Sequence, residues 1–131
     1  MDGSAFTGWP VLFSALEACV RQITVTATFA STHRDPSEGP HLHGHTFSVS
    51  ATELGNDAGV KYELLPDLRA VLSELHLHSL DDMLIGGSQT IDGIGAWIME
   101  RLLSRHPRLV RVDMHTADQP DVVVSVLREI R

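Results

Sequence analysis

Two runs of strict alternation constrain this chain more than any other feature in it. In QITVTATFASTH, Ile23, Val25, Ala27 and Phe29 alternate with Thr24, Thr26 and Thr28. In HTFSVSATEL, Phe47, Val49 and Ala51 alternate with Thr46, Ser48 and Ser50. Successive side chains of a strand point to opposite faces, so each run predicts a strand with one apolar face and one hydroxyl-bearing face. The first strand is expected over about 21–33, RDPSEGP supplies turn chemistry after it, and GNDAG closes the second. LLPDLRAVLSELHLHSL is apolar at 64, 65, 68, 71, 72 and 75, which predicts a helix starting near Pro66. TIDGIGAWIMERLLSRH, apolar at 91, 94, 98 and 102, predicts a second helix capped by Thr90, although Gly93 and Gly95 weaken its propensity. RLVRVDMHT and PDVVVSVLREI predict two further strands around a turn at ADQP. The order ββααββ defines an α+β domain: a four-stranded antiparallel sheet with two helices on one face. PVLFSALEACV has helical spacing behind Pro10, so residues 1–20 are read as an N-terminal extension or short helix, and 21–131 as the domain.

Length and charge narrow the function. The chain has 131 residues, 43% of them hydrophobic, which suffices for one domain with a buried core. Ten basic residues face seventeen acidic ones for a net charge of −7, and Lys61 is the only lysine. No basic cluster offers a path for a phosphate backbone, so no nucleic-acid partner is expected. There is neither a signal-peptide pattern nor an apolar run approaching the ~20 residues that span a bilayer, so no membrane role is expected. The single cysteine, Cys19, fits a reducing cytoplasm and reads as a small buried hydrophobe.

The chemistry concentrates in HLHGH, residues 41–45. His43 and His45, two apart on a strand, share a face with Cα atoms roughly 6.5 Å apart. Two imidazoles at that spacing can converge on one ion with Zn–N distances near ~2.0 Å. An HxH pair alone is more often incidental than a ligand pair. His33 changes the balance, because it ends the preceding strand on the face of Val25 and Phe29 and stands opposite the pair in an antiparallel hairpin. Three unpaired imidazoles at the end of an apolar face would be costly to desolvate, and a shared metal removes that cost. Three histidines with a vacant coordination position describe a catalytic zinc site better than a structural one. His41 has the same parity but follows Pro40 directly and is assigned to the loop. His76, His78 and His106 are read as surface histidines of a helix or its ends.

FASTH followed by LHGHTF resembles the 6-pyruvoyl-tetrahydropterin synthase and 6-carboxy-tetrahydropterin synthase superfamily. The resemblance continues through GVKYELLPDLRAVL, SLDDML and QTIDGIGAWIMERL. It implies the tunnelling fold, Zn2+ held by His33, His43 and His45, and assembly into a homo-hexamer, a dimer of trimers. The departures fall on catalytic positions. Gly39 stands where the family has its catalytic Cys, and Pro40 where a variant group has Glu. Asp82 replaces the proton-relaying His of the L-D-H motif, while its Asp is kept as Asp81. The Glu that grips the pterin ring is replaced by His115, or by Met114 if the alignment shifts by one. Losing that two-acceptor carboxylate costs roughly several kcal/mol, on the order of 10²-fold or more in pterin affinity.

The resulting expectation is a zinc-dependent enzyme of lyase or isomerase type, acting on a small non-pterin hydroxy-carbonyl substrate in specialised metabolism. Asp81, Asp82, His115 and Glu38 are the acid–base candidates. An orthodox pterin synthase using displaced residues and a catalytically inactive zinc-binding relative are the alternatives.

Overall fold

The alternating runs form a hairpin of two long strands, β1 (Arg21–His33) and β2 (His43–Gly55), paired antiparallel from Arg21↔Gly55 to His33↔His43. The structure, a computed structural model, describes residues 21–33, 43–55, 60–78, 80 and 90–129. Among the described residues two helices follow, α1 (Val60–Leu75) and α2 (Ile91–Leu103), then β3 (Leu109–Thr116) and the short β4 (Val124–Leu127). All neighbours in the sheet order β1-β2-β3-β4 are antiparallel, so the element order, the sheet and the two-helix layer are as the sequence predicts. The region 1–20 lies outside the described residues. Among the described residues, no helix is long and apolar enough to cross a membrane.

The helix-facing side of the sheet carries Phe29, Phe47, Val49, Ala51, Val112 and Met114. They pack with Leu64, Leu68, Leu72 and Leu75 of α1 and with Ile94, Ile98 and Leu102 of α2. Phe29 and Phe47, register partners, stack with ring centroids 4.9 Å apart. The start predicted for α1 needs correction, because the helix begins at Val60 and Pro66 lies inside it. Pro66 is exposed, so its ring stands in solvent at the cost of one backbone hydrogen bond. Continuing the helix back past it buries Leu64 completely.

In α2, Thr90 caps the helix as expected, its side chain accepting from Gly93 N at 3.4 Å. Gly95 has a packing reason for its poor propensity. A Cβ there would lie 3.0 Å from Val126 Cγ2 and 3.4 Å from Met114 Sδ, so its absence lets α2 settle onto β3 and β4.

The opposite sheet face is polar, as the hydroxyl parity predicts. One rung, Thr26–Ser50–Asp113–Ser125, crosses all four strands. Thr26 and Ser50 hydroxyls meet at 2.8 Å, the Ser125 hydroxyl donates to Asp113, and Arg111 Nε donates to Asp113 at 2.9 Å.

At the far end of the sheet from the histidine pair, the structure overturns the surface reading of His106. Its side chain is 3% exposed, with Nε2 2.7 Å from Asp67 Oδ2 and Nδ1 3.3 Å from Glu53 Oε2. Glu53 extends the parity of Phe47, Val49 and Ala51 onto the core face, just past an irregularity in the β2–β3 register.

Candidate metal centre

The hairpin register brings the predicted ligands together at backbone level. His33 and His43 are directly opposed, and His45 opposes Ser31 one alternation further along the same face. Directly opposed residues of an antiparallel pair have Cα atoms roughly 4.5–5.5 Å apart. The three positions therefore form a compact group at one end of the helix-facing side. The side chains of His33 and His43 are outside the described residues, as are Glu38, His41, Asp81 and Asp82. Among the described side chains, no three of His, Cys, Asp and Glu gather as a metal site.

His45 is the member of the set whose side chain is described, and two features orient it. Its ring meets Phe47 edge-on, with centroids 5.6 Å apart at 69°. Its Nδ1 lies 3.5 Å from Asp118 Oδ1, and the imidazole is 9% exposed. Asp118 sits in the turn after β3. The Thr116 hydroxyl and the residue's own backbone N–H donate to its carboxylate and hold it below the usual carboxylate range, with His45 adding to the effect.

A cavity of about 420 Å³ opens beside His45, bounded by Ser31, Thr32 and Thr46 and on its outer side by Leu77 and His78. The turn at the end of α1 builds that outer wall by docking on β1. Leu77 N donates to Ala30 O at 2.7 Å, Ala30 N donates to His76 Nδ1 at 3.1 Å, and Thr32 N donates to His78 O at 3.4 Å. The buried Ser31 hydroxyl donates to Leu75 O at 3.1 Å and reaches His78 O as well. This docking holds Leu77 at φ 62°, a left-handed conformation that costs a non-glycine residue roughly 1–2 kcal/mol.

His115 does not join this group within the chain. It pairs with Ser48 on the polar face, whereas His45 lies on the helix face. Met114 is buried in the core at 1% exposure. Sequence reasoning missed Asp118, because its approach to His45 depends on how the turn after β3 folds back, and no periodicity encodes that.

The architecture is that of the 6-pyruvoyl tetrahydropterin synthase fold. The Caenorhabditis elegans 6-pyruvoyl tetrahydropterin synthase superposes with a TM-score of 0.71 at 15% identity, over 85% of this chain and 97% of that one. A Plasmodium vivax 6-pyruvoyltetrahydropterin synthase, in a form with a catalytic glutamate replaced by alanine, gives 0.61 at 17% identity over 86% and 99%. An uncharacterized protein of Wolinella succinogenes gives 0.59 at 19% identity over 86% and 100%. No protein-family model matches the sequence, and no curated protein does. At these identities the likeness establishes the fold, and the chain is a divergent example of it.

Proposed function

We propose that this protein is a zinc-dependent enzyme of lyase or isomerase type, with the metal held by His33, His43 and His45. The observation that carries the reading is the register His33↔His43 with His45 two residues on, at one end of one sheet face. Three imidazoles and no thiolate suit a zinc with an open position. A metal so held polarises a carbonyl or lowers the pKa of bound water. The chain's own groups supply the rest. Phe47 walls the His45 ring, and the α1 turn closes the cavity on the β1 side. Asp81, Asp82 and Glu38 are the proposed proton carriers. Pro40 occupies the position of the variant group's glutamate, and Glu38, two residues before it, is the nearest carboxylate in the sequence to replace first. His115, on the polar face, could act only across an assembly.

The proposed substrate is a small hydroxy-carbonyl compound other than a pterin. Neither buried Met114 nor His115 supplies the paired acceptors of a carboxylate for an amide-and-amine edge. The likeness to the Caenorhabditis elegans synthase favours orthodox pterin synthesis as the second reading. Turnover of dihydroneopterin triphosphate would select it. Zinc binding without any turnover would select an inactive relative.

Elemental analysis of protein purified without chelator is expected to find one zinc per chain. The triple variant His33→Ala, His43→Ala, His45→Ala is expected to hold none and to be inactive. A metal-free wild type, or a fully active triple variant, would remove the basis of the proposal.

We also propose a cytoplasmic homo-hexamer, a dimer of trimers. Edge strands β1 and β4 and the hydroxyl-lined face are the surfaces that would be shared, since open edges call for partners. Light scattering should return the mass of six chains, and a monomer would contradict the assembly.

A further inference from the structure

The geometry points to Asp118 as a positioning residue for the metal: it selects which nitrogen of His45 binds zinc and holds the ring in that orientation. The inference rests on the zinc reading above and concerns a residue outside the predicted ligand set. His45 Nδ1 is 3.5 Å from Asp118 Oδ1, and Phe47 meets the ring edge-on at 5.6 Å. A neutral imidazole carries its proton on one nitrogen and its lone pair on the other. A carboxylate beside Nδ1 favours the tautomer with Nδ1–H, which directs coordination through Nε2. The two contacts meet different parts of the ring: Phe47 packs against it edge-on, and Asp118 faces its Nδ1. Asp118 is itself anchored, because the Thr116 hydroxyl at the end of β3 donates to it. The turn between β3 and β4 is thereby coupled to a site built on β1 and β2.

The test uses the full chain stripped of metal and titrated with Zn2+ against a chromophoric chelator at fixed pH. Wild type, Asp118→Asn and Asp118→Ala are compared, with apo melting temperature as the structural control. The Asp118 side chain is 65% exposed, so the apo melting temperatures are expected to coincide. Asp118→Ala should bind zinc about 10–100-fold more weakly than wild type. Asp118→Asn should fall between them, because its amide oxygen still accepts from Nδ1–H. The Co2+-substituted proteins should differ in visible absorption, which a purely structural role would leave unchanged. Equal zinc affinities for wild type and both variants would overturn the positioning role while leaving the zinc site standing. A wild type that binds no zinc would overturn both. Loss of affinity matched by loss of apo stability would reassign Asp118 to the fold.

Discussion

His106→Ala is expected to lower stability by about 3–5 kcal/mol at neutral pH, read from urea unfolding. The size follows from what the substitution leaves behind. Glu53 and Asp67 lose the imidazole between them, and Glu53 is almost fully buried, its Oε1 meeting no hydrogen-bond partner among the described residues. Removing one partner of a buried hydrogen-bonded cluster exposes the desolvation cost of the others. The pH dependence provides a second readout. Burial raises the Glu53 pKa above its ordinary 4.5, partly offset by His106 and Arg108 and reinforced by Glu63. A carboxyl raised in the folded state contributes stability that is fully present below its unfolded pKa. That contribution is lost as pH climbs through the folded value. In wild type, stability should therefore decline over the range just above 4.5, and Glu53→Gln should abolish that decline. In His106→Ala the opposing influence is gone, so Glu53 holds its proton to higher pH. The deficit should be largest at neutral pH and shrink in acid.

Phe47→Ala is expected to cost about 3–5 kcal/mol and to weaken metal binding as well. The ring is completely buried and stacked on Phe29 in the middle of the β1–β2 pair, so truncation opens a cavity that the paired backbones cannot collapse to fill. The aromatic pair adds about 0.5–1.5 kcal/mol beyond burial. The same ring is the edge-on wall of His45, so its loss frees the imidazole to leave its orientation. Thermal melting and zinc titration on one preparation should both register the change. Phe29→Leu, which retains apolar volume beside Phe47 and leaves the Phe47 ring itself in place, should reduce stability with little effect on zinc affinity.

The strand pairing was open to reading because it is encoded locally. Threonine and serine alternate with apolar residues over both long strands, and parity alone puts His33, His43 and His45 on the face of Phe29 and Phe47. The helix start was misread because Pro66 is a common first-turn residue, and burial of Leu64 carries the helix past it. His106 follows a helix in a polar stretch and looks exposed until tertiary packing sets it against Glu53. Half of that contact was still legible: continuing the alternation of 47, 49 and 51 places Glu53 on the apolar face, where a lone carboxylate calls for a partner. Asp118 had no such signal, since a turn's return path depends on strands that meet only in the folded state.

The docking of the α1 turn on β1 would set a limit on how copies of this chain join in the proposed hexamer. Ala30 and Thr32 have their outward backbone groups occupied by His76, Leu77 and His78. Among the described residues, no backbone partner meets the corresponding groups of Gln22, Thr24, Thr26 and Thr28. In the proposed assembly, a strand pairing along β1 would meet the docked turn at Ala30 and Thr32. In that assembly the turn would work as a built-in ruler: it would fix how far an incoming chain slides and keep another backbone from paving over the cavity beside His45.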